Sequence, residues 1–282
     1  MKPFLGIDLT FDKKNEIVNG KEFLVQTPSA ALHHTLDSSM EKASVETKKA
    51  ELPLPVRILQ YCCSLITMII VIGILRADVS ITQAYQNVPW LFWLGGGCTL
   101  VWLVLQLTGK AKANKVLATE DCTQSISHLE SVYNAVFAEL KVPEQAREVD
   151  LLQFYYKVKG DTVKPVTKGM MTTAYMNPIF RVYADPENLY ISNLEGKYAI
   201  PQASILGIRT IKKHIRITEW NKDVPVNKGI YKQYKLGIDQ YDCVHCQCYH
   251  IMEVKHGDEI FGFYIPSYEL PVFEALTGKK AQ

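Results

Sequence analysis

Two long runs of uncharged, mostly apolar residues interrupt an otherwise mixed pattern in the first half of the chain. They cover residues 58–75 and 88–107. A helix rises about 1.5 Å per residue and a bilayer core is about 30 Å thick, so roughly 20 apolar residues cross it. Neither run shows the polar stripe that a core helix of a soluble domain carries. The pattern predicts a transmembrane hairpin over 56–108.

Lysine and arginine residues predict the orientation of this hairpin. They lie on its two outer flanks, while the connecting segment 77–87 has none; the flanking residues are Lys42, Lys48, Lys49, Arg57, Lys110, Lys112 and Lys115. Cytoplasmic flanks carry such an excess. We therefore expect a multi-pass protein of the cell inner (plasma) membrane with both termini in the cytoplasm.

Helical spacing continues on both sides of the hairpin. A lead-in helix is predicted over 28–55, with Leu32, Leu36, Met40 and Ala43 on one face. A cytosolic helix is predicted over 109–142, and its seam comprises Cys122, Ile126, Leu129, Tyr133, Val136 and Leu140. That seam fits an oligomerising coiled coil or a helix that packs on a neighbouring helix. Because the seam is shorter than three heptads, the second interpretation is favoured.

Both ends of the chain show strand patterns. Residues 1–27 alternate and contain Asn19-Gly20, which predicts an N-terminal β-hairpin segment with arms at 16–18 and 23–25. Candidate strands of a domain over 150–282 lie at 152–158, 180–183, 189–192, 198–200, 206–211, 231–236, 244–254 and 260–265. An amphipathic helix over 269–276 closes the chain. The expected fold is an α+β membrane protein whose curled sheet or open barrel is capped by that helix.

Composition adds two constraints. The net charge of +2 at pH 7 is close to balance and gives no indication of a nucleic-acid partner. Some of the cysteines lie in the apolar runs and the others face a reducing cytosol in the expected topology; they are Cys62, Cys63, Cys98, Cys122, Cys243, Cys246 and Cys248. We expect free thiols rather than disulfides.

A basic stretch between residues 209 and 235 is the main candidate binding surface. It holds eight lysines and arginines against two acidic residues. Near an anionic leaflet each cation contributes about 1 kcal/mol of attraction. The candidate lipid- or partner-binding residues are Arg209, Lys212, Lys213, Arg216 and Trp220. We expect the indole of Trp220 to insert at the membrane interface. The alternative is a solvated surface that only keeps the domain soluble.

The run Cys243-Val-His-Cys-Gln-Cys-Tyr-His250 raises the question of a metal site. A zinc site needs four tetrahedral ligands, and no second C-x-x-C pair exists in the sequence. On a strand, Cys246, Cys248 and His250 point to one face and Cys243 and His245 to the other. We therefore expect buried cysteines and no metal.

Sequence signatures of catalysis are absent from the chain. It has no G-x-x-x-x-G-K-[ST], H-E-x-x-H or G-x-S-x-G motif. We expect no enzyme and no cofactor. We expect a membrane-anchored binding or scaffolding module that binds anionic lipid headgroups or a membrane protein partner. The sequence leaves open whether the protein forms an oligomer. The alternatives are a structural subunit of a larger membrane assembly and a thiol- or metal-responsive sensor using residues 243–250.

Several segments of the second half are similar to known families. Residues 180–193, 196–201 and 204–211 resemble bacterial pleckstrin-homology-like domains, over residues 151–280 at most. Residues 219–222, 228–235 and 268–278 resemble a family of uncharacterised bacterial two-span membrane proteins. The resemblance implies a cytosolic pleckstrin-like domain after the membrane spans, and it implies no activity.

Overall fold

The computed structural model of the chain describes residues 1–4, 7–8, 20–76, 80–159, 162–165, 167–168, 171–218, 236–238 and 244–282. These residues form helices and a mainly antiparallel sheet, so the predicted α+β class is confirmed. They separate into two compact units, a sheet unit of Met1–Ser29 with Asn134–Gln282 and a helical unit of Ala30–Tyr133.

The helical unit follows the sequence pattern with two differences. Its elements are α1 (Ala30–Lys48), α2 (Leu54–Arg76), α3 (Ile81–Asn87), α4 (Pro89–Leu117) and the first part of α5 (Glu120–Glu139). The short α3 was not predicted; it begins with a capping box between Ser80 and Gln83. A single helix over 109–142 was wrong, because α4 ends at Leu117 and the acidic residues Glu120 and Asp121 start a new helix.

Helices α2 and α4 contain the two predicted apolar runs. They are 23 and 29 residues long, and only 6% of the most apolar window of each is buried. A core helix of a soluble protein would be mostly buried, whereas these helices expose apolar side chains such as Leu75 and Trp93. Within the described part of the chain, these two helices are long and apolar enough to cross a membrane.

Helix α1 buries a narrow face. Leu36 and Ala43 are buried as predicted, but Met40 is 45% exposed and Ser39 takes its place in the interior. Residues 36, 39 and 43 are spaced by three and four positions, so they lie on one helix face.

The strands of the sheet unit come from both ends of the chain. They are β1 (Lys2–Pro3), β2 (Ile7–Asp8), β3 (Leu24–Gln26), β4 (Arg147–Lys159), β5 (Thr162–Pro165), β6 (Thr167–Lys168), β7 (Met171–Ala184), β8 (Asn188–Ser192), β9 (Lys197–Pro201), β10 (Ile205–Ile211), β11 (Ile215–Thr218), β12 (Gly237–Ile238), β13 (Val244–Cys246), β14 (Tyr249–His256) and β15 (Glu259–Pro266). The predicted continuous strand over 244–254 was wrong, since the chain bends between β13 and β14 at residues 247–248.

The sheet has one long hydrogen-bonded path with a branch. Its order is β10-β14-β15-β4-β7-β11-β13-β12, and β8, β9 and β3 continue from β7. Most pairs are antiparallel, while β1 with β15, β2 with β4 and β11 with β7 are parallel. Strand β11 therefore leaves β10 and pairs with β7 and β13 on its two sides.

The N-terminal segment contributes to the core of the sheet unit. Phe4 stacks on Phe263 with ring centroids 3.9 Å apart and also contacts Phe23 and Tyr198. The predicted arm 16–18 lies outside the described residues. The predicted strand 23–25 is displaced by one residue, because Phe23 ends a 3-10 turn and β3 begins at Leu24 and pairs with β9. This core therefore contains residues more than 200 positions apart in the chain, such as Phe4 and Phe263.

Helix α6 (Leu270–Thr277) closes the chain as predicted, to within one residue at each end. Pro271 occupies its first turn, and Gly278 ends it with a φ of 65°. Phe273 is fully buried in the main core, and Leu270 and Leu276 pack against the same core. The helix thus covers one region of the sheet's apolar interior.

Candidate functional site

The predicted basic surface begins at the connection between β10 and β11. Lys212, Lys213 and His214 form this connection and are all exposed. The turn is tight, because Lys213 N donates a hydrogen bond to Ile211 O at 2.9 Å. Among the described residues neither lysine forms an ion pair, so both ammonium groups are available to an external anion.

Arg209 differs from the two lysines. Its Nε and Nη2 donate to Glu253 Oε1 at 3.1 and 2.9 Å across the pair of β10 and β14. Both side chains are partly exposed, so this ion pair adds little to stability. It does compensate the charge of Arg209, which makes Arg209 a weaker anion ligand than the sequence indicated.

Arg216 and Trp220 are the other two predicted site residues. The backbone of Arg216 lies in β11 with Thr173 and His245 as its register partners. Trp220 lies outside the described residues. The structure therefore brings Lys212 and Lys213 together in one exposed turn, which begins three positions after Arg209. The contribution of Trp220 stays a prediction.

The cysteine–histidine run is divided between two faces, as the alternation predicted. Cys246 is fully buried beside Leu152 and Ile215, whereas His245 is half-buried on the other side of β13. Burial raises the pKa of Cys246 to about 12, so its thiol stays protonated at neutral pH. Cys243 lies outside the described residues, and in the described part no three His, Cys, Asp or Glu side chains are grouped to hold a metal ion.

A histidine pair stands beside the basic turn. His214 Nε2 and His245 Nδ1 are 2.9 Å apart, within hydrogen-bond distance. The run 243–250 drew attention to His245 alone; its partner lies 31 positions away, and only the register of β11 against β13 brings the two together.

A buried acidic cluster was not predicted. Tyr268 Oη donates to Asp150 Oδ2 at 2.9 Å, and the Asp150 backbone N–H donates to Glu269 Oε1 at 3.1 Å. Desolvation raises the pKa of Asp150 to about 6 and that of Glu269 to about 8. No local motif announces this cluster, since its members come from the start of β4 and from the turn before α6.

The helical unit has a polar cleft between α1 and α5. Its lining carries both signs of charge, from Lys42, Glu46 and Asp121, together with His128. Glu46 is already engaged, because its carboxylate accepts from Lys49 Nζ at 2.6 Å. Mixed charge with an internal ion pair gives this cleft no preference for an anion or a cation.

Comparison of the chain with protein-family models, with curated proteins and with solved structures finds no match.

Proposed function

We propose that this chain is a membrane-anchored binding module whose sheet unit binds anionic lipid headgroups through Lys212 and Lys213. The single observation that carries the proposal is the exposure of both lysines in one tight turn, without an ionic partner among the described residues. Adjacent ammonium groups suit a phosphate because they supply several donors and a local positive potential.

The membrane part of the proposal assigns α2 and α4 as two spans of the inner membrane, with both termini in the cytoplasm. Support comes from the length and exposure of the two helices and from the lysines and arginines on their outer flanks. Tethering the sheet unit to a membrane raises the local concentration of lipid headgroups, so a modest intrinsic affinity is sufficient.

The proposed domain type is pleckstrin-like, and the proposed role is binding rather than catalysis. The antiparallel sheet and the apolar packing of α6 against its core support the domain type. The role is supported by the missing catalytic signatures in the sequence and by the protonated, buried thiol of Cys246. A protein partner in place of lipid is the alternative that the following experiment separates.

The test uses the full chain embedded in phosphatidylcholine nanodiscs, so that the apolar side chains of α2 and α4 are in contact with lipid. Vesicles containing phosphatidylglycerol should bind these nanodiscs at about 0.1 M salt and release them near 1 M, since the Debye length falls from about 10 Å to about 3 Å. Changing Lys212→Glu and Lys213→Glu together should weaken binding at least about thirtyfold, given about 1 kcal/mol for each lost cation.

A charge-matched control separates a local site from net charge. Lys255→Glu with Lys279→Glu makes the same change at exposed positions of the same unit, and it should weaken binding far less. Equal weakening by both double variants would mean a diffuse charge effect. Absence of vesicle binding by the unaltered chain at low salt would overturn the lipid proposal and leave the protein partner.

A further inference from the structure

Two histidine rings meet on the face of the sheet opposite the buried Cys246. His214 Nε2 lies 2.9 Å from His245 Nδ1, while the ring centroids are 4.9 Å apart and the ring planes differ by 44°. The rings are therefore not stacked. Their nitrogens are the atoms that approach each other most closely.

Backbone register fixes this meeting. Arg216 is the register partner of His245 across β11 and β13, and His214 precedes Arg216 by two positions. Residues two apart on an extended chain share a face, and diagonal neighbours lie within reach of long side chains. On the other side of β13 the partner of His245 is Gly237, which carries no side chain.

We propose that His214 and His245 form a binding site for a Cu²⁺ or Ni²⁺ ion. A metal–nitrogen bond is about 2.0–2.1 Å long, so nitrogens 2.9 Å apart subtend roughly 90° at a shared ion. That is the angle between adjacent ligands in the square-planar or tetragonal sites of these ions. A tetrahedral zinc site would need about 109°, or nitrogens roughly 3.3 Å apart.

Water molecules can complete the coordination of such an ion. His214 is exposed, which gives an ion and its waters access to the pair. This site goes beyond the proposed lipid binding and does not depend on it. It also differs from the zinc arrangement considered for residues 243–250, because it joins one residue of that run to the basic turn.

Metal binding would replace the hydrogen bond between the rings. That hydrogen bond needs a proton on one of the two facing nitrogens, whereas both must be unprotonated to coordinate an ion. Binding should therefore release a proton and weaken as the pH falls. This release distinguishes coordination by the pair from loose association with the protein surface.

The test measures CuCl₂ and NiCl₂ binding to the untagged full chain in detergent by calorimetry in buffers of different ionisation enthalpy. The unaltered chain should show one saturable site for each ion with proton release. His214→Ala and His245→Gln should each lower the affinity at least tenfold. His34→Ala removes an exposed histidine of α1 and should leave the affinity unchanged.

Two results would overturn the proposal: no saturable binding by the unaltered chain, or binding that survives both substitutions. Circular dichroism checks that the variants are folded. If His245→Gln disturbs β13, the result with His214→Ala decides, because His214 lies outside the strands.

Discussion

Asp150 and Glu269 carry neighbouring carboxyl groups in the interior of the sheet unit. Burial raises the pKa of both carboxyl groups, and the negative charge of Asp150 further raises the pKa of Glu269. Glu148 adds further negative charge near Asp150, and Tyr268 donates its hydroxyl to the same carboxylate. The neutral forms are favoured in the folded chain.

Stability should therefore fall as the pH rises. The folded state binds more protons than the unfolded state above the unfolded values of 3.8 and 4.5, up to about 6 for Asp150 and about 8 for Glu269. The stabilisation is complete below both unfolded values and is lost progressively as the pH rises through this window. Thermal unfolding of the full chain in detergent between pH 5 and pH 9 measures it.

Glu269→Gln is the matched variant for this prediction. Its amide oxygen can still accept from the Asp150 backbone N–H, but it cannot ionise. We expect a flatter pH profile and a higher unfolding temperature than the unaltered chain at pH 8. A profile as steep as that of the unaltered chain would show that Glu269 is ionised in the folded state throughout.

Residue chemistry was only partly predictable from the sequence. The opposite faces of His245 and Cys246 followed from the two-residue period of a strand. The pairing of Arg209 with Glu253 and of Asp150 with Tyr268 depends on register between distant strands, which no local pattern contains. The same limit hid His214 as the partner of His245.

Among the elements, the N-terminal segment shows how a short stretch can complete a core. Phe4 is 4% exposed, and its backbone N–H donates to Gly262 O in β15 at 2.8 Å. Lys2 forms an ion pair with Glu259 of the same strand. These contacts join the first residues of the chain to its last strand.

Phe4→Ala should destabilise the sheet unit by about 3–5 kcal/mol, the usual cost of removing a buried phenylalanine ring. Hydrogen exchange should then speed up in β9 and β15, which lie against the ring. Val25→Ala is the control, because Val25 is 57% exposed in the same segment and should change stability by less than about 0.5 kcal/mol. Unchanged exchange in the Phe4 variant would contradict this packing.

Elements with a strong period were predictable, and those defined by distant contacts were not. The apolar runs gave α2 and α4, and the proline and glycine signals gave both ends of α6. The pairing of β3 with β9, which lies far along the chain, was not part of the prediction. Tertiary contact decided the pairing of such a short strand.

The whole molecule combines two units with different solvent requirements. The helical unit exposes apolar side chains along α2 and α4, and exposed apolar patches mark surfaces that contact a membrane or another protein. The sheet unit buries its apolar side chains in its own core and exposes Lys212 and Lys213. The membrane-anchored binding module that we propose accounts for both properties, and it depends on the proposed topology of the hairpin.

Labelling with a membrane-impermeant maleimide in intact cells tests this claim most directly. Gln86→Cys places a thiol on the exposed side of α3 and spares the Ser80–Gln83 capping box, while Lys279→Cys places one after α6. Relative to the unaltered chain, the Gln86 variant should gain label in intact cells and the Lys279 variant only after permeabilisation. Label at Lys279 in intact cells, or none at Gln86, would contradict the account.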